Sequence, residues 1–326
     1  MDTLLSIIIP VYNVQSYIVR CLDSIYSAGC NKALFEVIVI DDGSTDSSLK
    51  ILEEYNEPNL IVIHQSNHGV SVARNVGLEI AKAKYVTFID PDDFLENGSL
   101  EKIINILRNL VTTQVLVINS IHDDSGIVIY NWKGKVDLSQ AFYTGVNLFK
   151  QYNWFRGSVW GVIYQKAFLN KKAIRFLPNL TNGEDTLFFL EVQLYANRIA
   201  FYDMNFYRVY NRLNSASKNM NLPKLINLGR VVRELEHIKI KEGEKLTTDQ
   251  HELIEYCKYR VLLQITYCAV RENISYRTIL TRIKPNDFLP LLCYPTQRYQ
   301  HKLKFMLLNK YILFYYLVWM KTKLYR

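Results

Sequence analysis

The feature that most restricts this chain is the alternation, over its first hundred residues, of short apolar runs with amphipathic stretches of helical length. Four runs read as strands, at 5–10, 35–41, 60–64 and 85–90. Those at 5–10 and 35–41 are continuous in Ile and Val, the pattern of parallel strands buried on both faces. Between the runs, Ile18, Leu22 and Ile25 recur at helical spacing, as do Leu49, Leu52 and Tyr55, and then Ala73, Val76 and Ile80. Strand and helix in this rhythm predict an α/β fold, a mostly parallel sheet flanked by helices. Crossovers in such units are right-handed, so the C-terminal strand ends share one edge, where ligands bind in open α/β sheets.

The signal weakens beyond residue 98. A helix is expected near 100–110 and a strand at 114–119, followed by turn-rich polar sequence to about 150. After Pro223 the pattern turns helical, with Thr247 and Gln250 spaced as a capping box ahead of Leu253, Cys257, Val261, Ile265 and Cys268. A chain of 326 residues exceeds what one core usually holds. The expected organisation is therefore a main domain over 1–222, with halves at about 1–110 and 111–222, and a C-terminal helical extension over 223–326.

Charge is distributed unevenly. Residues 298–326 carry seven Lys or Arg and no acid, whereas the other 297 residues hold 32 basic and 31 acidic side chains. A nearly neutral body disfavours nucleic acid as a partner. Within the basic segment, 311–320 is an unbroken apolar and aromatic run of ten residues, too short to span a bilayer, which takes about 20. Its composition fits a segment lying on an anionic membrane surface, or a last helix packed on the body with its lysines solvated. The five cysteines include no C-x-x-C pair, so neither a disulfide framework nor a zinc site is suggested. Asp2 stands where a signal peptide would be basic, and Pro10 interrupts the first apolar run. The expectation is a cytoplasmic protein, peripheral on the inner face of the cell membrane.

Chemistry concentrates at the strand ends. Asp90-Pro91-Asp92-Asp93 places three carboxylates just past the fourth strand. Charges so close repel, and a hard divalent cation shared with substrate phosphates is their natural counter-charge, although a solvated acidic turn would look the same. Asp41-Asp42-Gly43-Ser44-Thr45-Asp46 ends the second strand and opens a helix; helix capping explains part of it, and one of the two adjacent acids could accept from a base N–H or a ribose hydroxyl. In the stretch 67–77, Arg74 falls near a helix N-terminus, either facing a phosphate or neutralising the acidic edge.

In this order and spacing, Pro10-Val11-Tyr12-Asn13, Asp41-Asp42-Gly43-Ser44, the stretch from Asn67 to Gly77, and Asp90-Pro91-Asp92-Asp93 resemble the signature of glycosyltransferase family 2 on a Rossmann-like GT-A fold. The resemblance is dense over residues 4–105. It implies an inverting transferase that takes a nucleotide-sugar donor, here a UDP-sugar, with Mn2+ or Mg2+. It further implies that Pro10, Tyr12, Asp42 and Asn67 lie on the nucleotide side, that Arg74 approaches the diphosphate, that Asp90 serves ribose and metal, and that Asp92 ligates the metal directly, with Asp93 a third acid. Downstream, Asn182-Gly183-Glu184-Asp185 resembles the family's E-D motif, making Asp185 the catalytic base and Glu184 an acceptor-side residue. The segment 207–217 resembles the flexible stretch after the last sheet strand, with Arg208, Ser215 and Ser217 closing over the diphosphate. Trp160 reads either as an acceptor-side platform or as a core residue. The acceptor implied is a glycan or lipid-linked oligosaccharide of a bacterial surface polysaccharide. Two other readings stay open: a sugar nucleotidyltransferase, for which 12–16 lacks the glycine-rich triphosphate loop, and an inactive carbohydrate or membrane scaffold.

Overall fold

A computed structural model of the protein describes residues 3–27, 29–110, 112–123, 125–130, 136–137, 140–211, 220–291, 304 and 306–324. The chain forms two compact units. The first comprises Met1–Leu148, Ser158–Leu180 and Glu191–Arg212; the second comprises Phe149–Gly157, Thr181–Leu190 and Leu213–Arg326.

The first unit is built on one nine-stranded sheet of β1 (Leu5–Val11), β2 (Phe35–Asp42), β3 (Leu60–Gln65), β4 (Tyr85–Phe88), β5 (Phe94–Leu95), β6 (Val115–Asp123), β7 (Val128–Tyr130), β8 (Val162–Gln165) and β9 (Ile199–Val209). Its order is β3-β2-β1-β4-β8-β6-β9-β5, with β7 paired to β6. Strands β1 to β4 run parallel, β8 is antiparallel to both β4 and β6, and β9 lies parallel to β6. Every residue of β1 and β2 is buried, the Ile and Val runs together with Ser6, Glu36, Asp41 and Asp42. Each such Ile or Val contributes about 2 kcal/mol on leaving water. Pro10 lies beyond the last β1–β4 pairing, Ile8 with Phe88, so the ladder on that side ends before a missing N–H matters.

Helices α1 (Ile18–Tyr26), α2 (Ser48–Glu54), α3 (Val70–Ile80) and α4 (Ser99–Asn109) follow the parallel strands, and α5 (Gly145–Tyr152), α6 (Lys166–Lys171) and α7 (Glu184–Tyr195) come later. The sequence period holds in α1, where Ile18, Cys21, Leu22 and Ile25 are the buried residues. Because β1 to β4 are parallel, their C-terminal ends at Val11, Asp42, Gln65 and Phe88 gather on one edge, with the acidic loop 90–93 directly after β4.

The second unit is helical: α8 (Leu222–Glu242), α9 (Thr248–Arg271), α10 (Tyr276–Arg282) and α11 (Tyr311–Leu324). The capping box forms as its spacing predicts, with Thr247 accepting from Gln250 N and the Gln250 side chain accepting from Thr247 N. The units do not part at a single cut after residue 222. Two earlier segments belong with the helices for packing reasons: Phe149 and Phe155 contact the Tyr256 ring, Trp154 meets Phe189 edge to face at 5.5 Å, and Gly183 sits against Val231, where a Cβ would come within 2.6 Å of that side chain.

Candidate active site

The β1–α1 and β2–α2 loops are joined by hydrogen bonds. Asn13, at φ 52°, accepts through Oδ1 from Thr45 N at 2.8 Å and Asp46 N at 3.3 Å, while Asn13 N donates to Ser44 Oγ at 3.0 Å. Val14 N donates to Ser48 Oγ and Gln15 N to Asp46 Oδ2. Tyr12 stands beside this seam with 49% of its surface exposed. Asn67 is also exposed, next to Gly43.

Asp41 and Asp42 both point inward. Asp42 Oδ1 accepts from Gln65 Nε2 at 2.6 Å and His68 N at 2.9 Å, and its Oδ2 accepts from Gly69 N at 2.8 Å. Three of the roughly four lone-pair directions of this carboxylate thus hold the β3–α3 loop. Asp41 is fully buried; its Oδ2 pairs with His64 Nδ1 at 2.7 Å, and its Oδ1 has no hydrogen-bond partner.

The acidic loop is clamped from three elements. The Tyr207 hydroxyl accepts from Asp90 N at 3.0 Å and donates to Asp93 Oδ2 at 2.7 Å, and Tyr210 N donates to Asp93 Oδ1 at 2.8 Å. Arg20, from α1, donates to the Asp92 carbonyl at 2.8 Å while its guanidinium lies 4.2 Å from the Tyr210 centroid and 4.6 Å from that of Phe94. Arg74, buried on α3, donates to Asp90 Oδ1 at 3.0 Å and covers the Phe176 ring at 5.1 Å. Burial first and then the charge of Asp90 push the Asp93 carboxyl up to about 8, and burial likewise raises the Tyr207 phenol.

Most of the residues singled out in the sequence take definite places here. Asp93 is a fixture, since both its oxygens are engaged by Tyr207 and Tyr210. Arg74 lies one turn inside α3, whose first residue is Val70, and its guanidinium meets Asp90. Arg208 belongs to β9 itself, paired in register with Phe94 and His122 and salt-bridged to Glu96, so it is not part of a flexible stretch after the last strand. Trp160 stacks on Tyr207 at 5.7 Å and 14°, partly buried behind the acidic loop. Ser215 and Ser217 lie outside the described residues. Glu184 and Asp185 open α7, both half-buried, in the second unit. Sequence reasoning missed Arg20, Tyr207, Tyr210, Gln65 and His64. Of these, Tyr207 and Tyr210 alone carried a signal, as members of the segment 207–217 singled out for other reasons.

Among the described residues no group of three or more His, Cys, Asp or Glu is arranged to hold a metal ion. With Asp93 committed to Tyr207 and Tyr210, the loop offers Asp90 and Asp92, both half-buried. Such a donor set suits a cation that completes its shell with substrate phosphates and water, not an all-protein cage.

A parallel sheet entered through an acidic loop, with a second antiparallel-laced half, is the GT-A fold. The chain belongs to Glycosyl transferase family 2, which it matches over residues 6–176. It is 30% identical over 232 residues to the glycosyltransferase GlyA of Streptococcus pneumoniae, which covers 67% of this chain but 32% of GlyA. To the putative glycosyltransferase EpsH of Bacillus subtilis it is 25% identical over 278 residues, 82% of this chain and 76% of EpsH. Residues 1–349 of S. aureus TarS in complex with UDP-GlcNAc share the fold, with a TM-score of 0.69 and 24% identity over 90% of this chain and 82% of that one.

Proposed function

We propose that the protein is an inverting glycosyltransferase that moves a sugar from a UDP-sugar to a hydroxyl of a glycan or lipid-linked oligosaccharide in bacterial surface polysaccharide synthesis, working in the cytoplasm. The observation that carries the reading is the clamped loop, in which Tyr207, Tyr210 and Arg20 fix Asp90 to Asp93 at the ligand-binding edge of the parallel strands. A solvated acidic turn has no need of such fixing. TarS, bound to UDP-GlcNAc, supports the donor class.

In this reading Pro10, Tyr12, Asn67 and Asp42 form the nucleotide side, Asp42 through the one lone-pair direction that its three loop bonds leave on Oδ2. Asp90 and Asp92 would hold a divalent cation, Mn2+ or Mg2+, which offsets charge developing on the leaving diphosphate. Arg74 orients Asp90 through their ion pair, and adds positive charge toward the same group. Asp185 takes the proton of the attacking hydroxyl, on the sugar face opposite the leaving group, with Glu184 on the acceptor side. Arg208 supports the site through Glu96, and Trp160 does so through its stack on Tyr207.

Calorimetric titration with UDP tests the reading. Binding should be strengthened by Mn2+ and lose at least about tenfold in Asp92→Ala. Asp185→Asn should abolish transfer in a nucleotide-sugar screen while UDP affinity stays within a few-fold. A large loss of UDP binding in Asp185→Asn would show that the base has been misassigned, and UDP binding indifferent to Mn2+ and to Asp92 would remove the metal.

A further inference from the structure

Helix α11 is apolar on every side, yet only half of it is covered. Tyr311, Phe314, Tyr315 and Val318 are buried, at one-face spacing. They pack on α9 and α10: Thr266 Oγ1 donates to the Tyr311 hydroxyl at 3.0 Å, Phe314 meets Tyr267 edge to face at 6.2 Å, and the Tyr315 hydroxyl donates to Ile274 O at 2.6 Å. The opposite face presents Ile312, Leu313, Tyr316, Leu317, Trp319 and Met320, each 37% to 55% exposed. Ordinary surface helices carry charge on that face. Here polar residues stand only at the ends, with exposed Lys310 before the helix and exposed Lys321 in its last turn.

We infer that this outer face of α11 is a docking surface for an anionic lipid leaflet, on which the helix lies in the plane of the interface. Charge complementarity selects the occupant, since residues 298–326 hold seven Lys or Arg and no acid while the rest of the chain is nearly neutral. Tyr316 and Trp319 are the aromatic types that settle at headgroup depth. Length fixes the orientation: 14 residues make a helix of about 21 Å, short of the roughly 30 Å hydrocarbon core. Among the described residues, no helix is long and apolar enough to cross a membrane. A second copy fits less well, because a strip about 21 Å by 10 Å is on the order of 200 Å², against about 800 Å² per partner in a stable dimer. The inference stands independently of which sugar is transferred.

The test is sedimentation of the full chain with vesicles of phosphatidylcholine containing phosphatidylglycerol, and of phosphatidylcholine alone, beside velocity sedimentation without lipid. The protein should pellet with the anionic vesicles, and high salt should release it. Leu313→Gln, Leu317→Gln and Trp319→Gln together should weaken binding at least about tenfold without moving the thermal unfolding midpoint, because these side chains are already exposed. Lys310→Gln with Lys321→Gln should weaken binding to anionic vesicles alone. Equal binding by the triple variant, or equal binding to uncharged vesicles, overturns the inference. So does a concentration-dependent dimer that the triple variant abolishes.

Discussion

Asp93 spends both carboxylate oxygens on Tyr207 and Tyr210, residues more than a hundred positions away, and is 3% exposed. Its carboxyl is held up to about 8 from an ordinary 3.8, chiefly by burial and next by the charge of Asp90. A group that binds its proton more tightly folded than unfolded stabilises the protein at low pH and loses that contribution as pH rises through the folded value. Without divalent cations, the denaturation midpoint of the protein should therefore fall between about pH 4 and about pH 8. Asp93→Asn cannot titrate and should flatten that decline. Parallel declines in the two proteins would place the titrating group elsewhere. The sequence could show three acids in four residues, but not that one of them faces inward, because its partners arrive from a strand far along the chain.

At the scale of elements, the parallel strands and their helices were legible because continuous Ile/Val runs and a helical repeat are local properties. Of the antiparallel half only β6 was, as the strand expected at 114–119. Strand β5 has two residues, too few for any period, and β9 extends through Val209, so Arg208 is a strand residue despite the polar sequence that follows it. The placement of 149–157 and 181–190 with the helices rests on distant contacts such as Phe149 with Tyr256 of α9, which no window of sequence contains. The turn after β2 was legible as a turn, but its reason lies in three dimensions. Gly43 has φ 74°, and a Cβ there would stand 2.8 Å from Asn67 N and 3.3 Å from Gln65 O, both backbone atoms that cannot swing aside. Gly43→Ala should thus cost about 1–3 kcal/mol in chemical denaturation. It should also weaken UDP binding, since the turn after Asp42 and the β3–α3 loop carrying Asn67 would move apart. Unchanged stability would mean that the β3–α3 loop yields readily, against the three bonds from Asp42.

For the molecule as a whole, the basic segment contributes both charge and packing, and the two separate by experiment. Removing 298–326 takes the formal net charge from +8 to +1. It also strips Tyr311, Phe314, Tyr315 and Val318 from the second unit, leaving their neighbours Tyr267 and Thr266 to water. Loss of several large buried side chains costs several kcal/mol even after relaxation, so the truncated chain should unfold at least about 5 °C lower in calorimetry. The triple substitution on the outer face of α11 should leave that midpoint in place. Truncation alone thus cannot report on lipid contact, because a destabilised protein also sediments with vesicles. If truncation left the midpoint unchanged, the inner face of α11 would contribute nothing to the fold, and the division of the helix into a packed and a docking face would fail with it.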